Sequence, residues 1–165
     1  MLPQLAKKNG WAVLKNGLWL KQLFIFQGTL VRIVELSGKK TKPYKVEAVY
    51  PAAGENNNLI FDVSAQDLFA LQHQPGQLLF ELLQKTSFPV CIGGSYILEI
   101  AKIFEAVYNS PLGNGVISEQ GLEPHFPFTI PQVVVDHLIK FDICQREIID
   151  GKKKLIFPQL IKRPV

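Results

Sequence analysis

The pair Asp150-Gly151, set between the strand-compatible segments 144–149 and 152–157, constrains this chain more than any other feature. Segments joined by only two residues must form a hairpin, and Asp-Gly tolerates the positive φ angles that a type I′ turn demands at both central positions. The residues upstream are read against that hairpin. Thr129 followed by Pro131 predicts a helix start, because a proline in the first turn forfeits no hydrogen bond. Val134, Leu138 and Phe141, with Val135 and Ile139 beside them, then face a core at helical spacing. Before them, Ser95 is expected to cap a helix running to about Tyr108, with Ile97, Ile100, Ala101, Phe104 and Val107 on one face. The turn 111–115 leads to a short strand at Val116-Ile117, and residues 118–122 predict a second, brief helix.

Helix, short strand, helix, helix, hairpin is the order of a winged-helix domain, here residues 93–165. The residues that carry this order also resemble a family. Asn114-Gly115-Val116-Ile117, Leu122, Phe141-Asp142-Ile143-Cys144, Asp150-Gly151 and Leu155-Ile156-Phe157-Pro158-Gln159-Leu160 are similar to the winged-helix part of the COR (C-terminal of Roc) domain of Roco-type proteins, over roughly residues 95–161. The resemblance implies a regulatory or protein-contact role. It implies no catalytic one, since the Gly-x-x-x-x-Gly-Lys-Ser/Thr phosphate loop of the accompanying GTPase does not occur in the sequence.

The first 75 residues read as a β-rich unit. Segments 11–15, 18–26, 29–36, 44–50 and 59–63 are separated by turn signals, with Asn16-Gly17 as the candidate hairpin turn between the first two. Five such strands predict a small antiparallel β-barrel or curled sheet, possibly SH3-like. Ser64 and Asp67 suggest a helix start, so residues 66–72 are expected to be helical. Gln74-Pro75-Gly76 punctuates the chain there, and Leu78, Leu79, Leu82 and Leu83 make residues 76–92 a linking helix between the two halves. The fold class expected is α+β.

Hydrophobic residues make up 47% and charged residues 19% of the 165 residues, a folding composition. The opening MLPQLAKKNGW holds no apolar stretch of signal-peptide length, and no later run reaches membrane-spanning length. A soluble cytoplasmic protein with no membrane partner is expected. Cys91 and Cys144 form no CxxC or Cys/His cluster, which leaves them as free thiols in a reducing compartment. The net charge of +4 is uneven: residues 1–50 carry nine Lys/Arg against Glu35 and Glu47, whereas residues 51–100 carry Lys85 against five carboxylates.

No catalytic constellation accompanies the three histidines. His137 adjoins Asp136, but no nucleophile motif goes with them. Gly93-Gly94-Ser95 reads as a helix entrance rather than an anion site, and Asp62, Asp67 and Glu81 have no ligand spacing, so no metal and no cofactor is expected. The expected function is a noncatalytic module that binds a protein partner, or a second copy of itself, through Gln132, Val133, Asp136, His137 and Lys140 on the third helix. The alternative is nucleic-acid binding through Arg146, Lys152, Lys153 and Lys154 on the wing, with Lys162 and Arg163 beyond it, and Lys39, Lys40, Lys42 and Lys45 in the basic N-terminal face. One acidic residue and one clear cation make the third helix a poor reader of base edges.

Overall fold

The computed structural model describes residues 9–50, 59–86, 90–123 and 126–162. Residues 51–58, His125, Arg163 and the side chains of Cys91 and Ser95 lie outside the described residues. The fold is mixed α+β. Its first part contains β1 (Trp11–Leu14), β2 (Leu18–Leu20), β3 (Leu23–Ile25), β4 (Leu30–Leu36), β5 (Tyr44–Tyr50), β6 (Ile60–Val63), a 3-10 turn (Ala65–Asp67) and β7 (Leu68–Leu71). Five of these strands form one antiparallel sheet in the order β6-β5-β4-β1-β7.

The end strands β6 and β7 do not pair, so the sheet is open; of the two expected forms, barrel or curled sheet, the closed and possibly SH3-like barrel is corrected. Layers on both faces do what closure would otherwise do. Trp11 and Val13 of β1 join a core shared with the helices, while Ala12 and Leu14 point into a second core with Ile25, Val31, Ile33, Val46 and Phe61. All four residues of β1 are therefore buried, as expected for a central strand covered on both sides.

Two local expectations fail here. Asn16-Gly17 does not turn β1 back onto β2: β1 pairs with β4 and β7, and β2 pairs with β3. The two-residue turn lies instead at Lys21-Gln22, with Lys21 at a φ of 56°. Gly17 serves another end, because a Cβ there would sit 2.3 Å from the Phe24 ring. Residues 66–72 are not helical either. The Ser64 hydroxyl donates to the Asp67 carboxylate at 2.9 Å, the helix signal ends after one 3-10 turn, and Leu68–Leu71 becomes the edge strand beside β1. Leu68 and Leu71 are buried in that position, and tertiary pairing overrides the weak local propensity.

Helix α1 (His73–Thr86) buries Leu78, Leu79, Leu82 and Leu83. The Gln74-Pro75-Gly76 stretch lies inside its first turns, and Gly76 is a seat for Trp11: an added Cβ would lie 2.3 Å from the indole ring. Trp11 stacks on Phe80 at 5.2 Å, and the Arg32 guanidinium lies 4.5 Å from its ring centroid. Helix α2 (Val90–Tyr108) starts ahead of Ser95, so Gly93, Gly94 and Ser95 lie within it rather than at its entrance. Its Ile97, Ile100, Ala101, Phe104 and Val107 are all buried. Each fully buried large apolar side chain contributes about 1.5–3 kcal/mol of transfer free energy, which makes α2 the spine of the main core. Glu105 of α2 accepts the Gln72 backbone N–H at 2.6 Å and the Gln72 side-chain amide at 3.2 Å, tying the start of α1 to α2.

Beyond α2 come β8 (Val116–Ser118), β9 (Gly121–Glu123), β10 (Phe126–Thr129), α3 (Gln132–Lys140), β11 (Gln145–Ile149), β12 (Lys152–Ile156) and a 3-10 turn (Pro158–Leu160). The brief helix expected at 118–122 is replaced by a turn and the β9–β10 hairpin, in which Gly121 takes a φ of 75° that suits a strand entrance and not a helix. Thr129 belongs to β10, and the residue before α3 is Pro131, whose carbonyl accepts the N–H groups of Val134 and Val135. The hairpin at Asp150-Gly151 forms with φ of 53° and 77°, the two positive values of a type I′ turn. Strand β12 also pairs with β8, giving the order β11-β12-β8, and Leu155 and Phe157 anchor it in the main core, with Phe157 edge-on to Phe104 at 5.9 Å.

Candidate functional site

On α3, Val134, Val135 and Leu138 are buried, and Gln132, Val133, Asp136 and Lys140 are exposed. The structure thus gathers four of the five expected contact residues on one solvent face. Its polar groups are partly spent on each other, since the Gln132 amide donates to the Asp136 carboxylate at 2.9 Å. Val133 stands 50% exposed beside them. His137 is half-buried, with its ring 4.8 Å from that of Phe141. Burial, and then the charge of Lys140, push its pKa below the ordinary imidazole value.

The β11–β12 hairpin distributes its charges differently from what the sequence suggests. Arg146 reaches back to Glu119, which is only 6% exposed, and clamps it through Nε to Oε1 and Nη2 to Oε2, the latter at 3.3 Å. That bidentate bond holds the Arg146 pKa above its ordinary value and removes this guanidinium from the set of free cations. Lys154 lies directly opposite Glu147 in the ladder, while Lys152 and Lys153 stand in solvent opposite Ile149 and Ile148. Strand β11 is the edge of its sheet and is exposed along its whole length, with Ile148 at 71% and Ile149 at 38%.

The N-terminal lysines lie on and before β5, in a different sheet from the wing. Lys39 pairs with Asp62 at 2.5 Å and holds that carboxyl below its ordinary pKa, and Lys45 pairs with Glu35 at 3.3 Å. Lys40 and Lys42 are exposed. The basic residues that the sequence grouped into one nucleic-acid surface are therefore split between two sheets, and several are already paired with acids.

A surface that the site expectations did not include lies on the β2–β3 hairpin. Trp19 pairs with Phe24 across the ladder, Phe26 continues the same face, and the rings touch in series at 5.0 and 5.1 Å. Trp19 is 70% and Phe26 53% exposed. The opposite face carries Leu18, Leu20 and Ile25, which pack on the second core. A hairpin with one face in solvent normally alternates apolar and polar residues. Residues 18–26 interrupt their apolar run only at Lys21 and Gln22, and that missing alternation is the signal the sequence offered.

Among the described residues no group of three His, Cys, Asp or Glu side chains is placed to hold a metal ion. Cys144 is buried, and burial pushes its thiol pKa up to about 12, which keeps it protonated and unreactive. No described helix is long and apolar enough to cross a membrane. Comparison with protein-family models, with curated proteins and with solved structures finds nothing that matches this chain.

Proposed function

We propose that the chain is a noncatalytic interaction or regulatory module of the cytoplasm whose C-terminal unit is a winged helix of the COR type. In this reading α2, β8, α3 and the β11–β12 wing are its framework, the β9–β10 hairpin stands where the second helix would be, and α3 with the wing contacts a protein partner or a second copy. The sheet order β11-β12-β8 and the placement of α3 just before the wing support it. The observation that carries the functional part is the chemistry of the exposed surfaces. Val133 on α3 and Ile148 on the open edge of β11 face solvent, while the neighbouring polar groups of Gln132, Asp136, Arg146 and Glu119 are bonded among themselves. Exposed apolar side chains among satisfied polar groups fit protein contact, whereas a nucleic-acid reader needs free donors aimed outward.

The test pairs light scattering with affinity capture, using the wild type and a Val133→Asp/Ile148→Asp variant. Self-association, or a partner captured by the wild type and lost by the variant, supports the reading. A strictly monomeric wild type without a partner sinks it. Nucleic-acid binding remains the second reading because Lys152 and Lys153 stand free of acidic neighbours across the ladder. A gel shift with duplex and single-stranded DNA and RNA at two salt concentrations decides it, and no shift at low salt removes it.

A further inference from the structure

We propose that the aromatic outer face of the β2–β3 hairpin docks this protein onto an anionic lipid surface. The face presents Trp19, Phe24 and Phe26, whereas Leu23, 42% exposed beside the turn, lies opposite Leu20 on the other face. No polar side chain shares that face within the two strands, so it offers a partner apolar contact without directional hydrogen bonds. The rings meet at interplanar angles of 57° and 85°. They make no flat platform across which successive bases of a single strand could stack, which sets them apart from nucleic-acid surfaces built of parallel rings. Contact of this non-directional kind suits an apolar medium.

The charges around the hairpin choose the kind of surface. Lys15 precedes it and Lys21 forms its turn, and the sequence holds no Asp or Glu before Glu35. The acid that approaches the hairpin base, Asp67, already accepts from the Asn16 amide at 3.1 Å and from the Ser64 hydroxyl at 2.9 Å. Exposed Trp and Phe flanked by lysines complement the negative cytoplasmic leaflet, where indole rings favour the interface and lysine stems bury while their ammonium groups stay wet. Depth follows from the backbone. Among the described residues β2 and β3 pair only with each other, so each keeps one edge without a ladder partner there, and those N–H and C=O groups must remain hydrated. The hairpin therefore lies in the headgroup region, about 5–10 Å deep, and does not cross. No spanning helix is required for such contact.

The experiment is co-sedimentation of the full chain with phosphatidylcholine vesicles and with mixed phosphatidylcholine and phosphatidylserine vesicles, read together with tryptophan emission. Trp11 is buried, so a change in emission reports Trp19. The wild type is expected to pellet with the anionic vesicles, to stay in solution with phosphatidylcholine alone, and to shift its emission to the blue. Trp19→Ala/Phe26→Ala abolishes pelleting while circular dichroism and Tm stay near wild type, because both side chains are exposed. Lys21→Ala weakens binding about fivefold, the worth of one cation beside an anionic surface. The Val133→Asp/Ile148→Asp variant still pellets, which separates this test from that of the C-terminal surface. A wild type that stays in the supernatant with anionic vesicles, or a Trp19→Ala/Phe26→Ala variant that pellets equally, overturns the proposal. Quenching of Trp19 by oligothymidylate without any vesicle binding also overturns it and assigns the face to single strands.

Discussion

Two hairpins, β2–β3 and β11–β12, differ in how they are held. Both are antiparallel, both turn through two residues, and both project from a larger body. The β11–β12 hairpin is tied in along its chain: β12 pairs with β8, Leu155 and Phe157 enter the main core, and Arg146 bonds a buried carboxylate. Among the described residues the N-terminal hairpin pairs with no third strand, and Leu18, Leu20 and Ile25 seat it on the second core. The β11–β12 hairpin therefore takes its stability from anchoring and leaves lysines in solvent, whereas β2–β3 keeps three touching rings on the outside, where they add little to its stability. Apolar side chains kept outside are available to a partner; those of the β11–β12 anchor are not.

The comparison breaks most sharply at Phe157. Phe157→Ala should cost about 3–5 kcal/mol in chemical denaturation, while Trp19→Ala, at an exposed site, should stay within about 0.5 kcal/mol. Equal losses would mean that the aromatic face is structural. Glycine substitutions sharpen the contrast at the next level. Gly17→Ala drives a methyl into the Phe24 ring and should cost about 1–3 kcal/mol. Gly151→Ala meets no atom within 4 Å and suffers only from its φ of 77°, for about 1 kcal/mol.

Smaller effects concern the junction between the halves. Burial raises the Glu105 pKa above its ordinary value, so the folded chain holds this proton more tightly than the unfolded chain. That contribution is full below the ordinary carboxylate range and is lost as pH rises through the raised pKa. The Tm of Glu105→Gln relative to wild type should therefore climb with pH across that window and then level off; a difference independent of pH would contradict the assignment. A Cys91→Ser variant should resist aromatic disulfide reagents until unfolded, since its remaining thiol, Cys144 at the start of the β11–β12 hairpin, is buried with a pKa pushed up to about 12. Rapid native labelling would show that this hairpin opens.

Much of the C-terminal half was legible because its signals are local. Asp150-Gly151 can hardly do anything but turn tightly, and the buried faces of α1 and α2 follow from leucine, isoleucine and phenylalanine at helical spacing. The failures share one cause. Asn16-Gly17, the Ser64–Asp67 helix signal and the brief helix at 118–122 are each short cues, and each yielded to a strand that needed a partner or a ring that needed room. The solvent-facing residues of α3 were visible from the helical period, but the diversion of Arg146 to Glu119 and of Lys39 to Asp62 depends on residues distant in sequence.

By itself, then, the sequence determined the α+β class, the hairpin at Asp150-Gly151, and the apolar faces of α1 and α2, because turn chemistry and side-chain period act over a few residues. Only the tertiary structure decided that the N-terminal sheet stays open, that the lysines belong to separate sheets, and that Trp19, Phe24 and Phe26 meet on a solvent face. Those outcomes depend on strand pairing and on which layer covers which face. Both are set by competition among distant segments for buried surface, which no local pattern encodes.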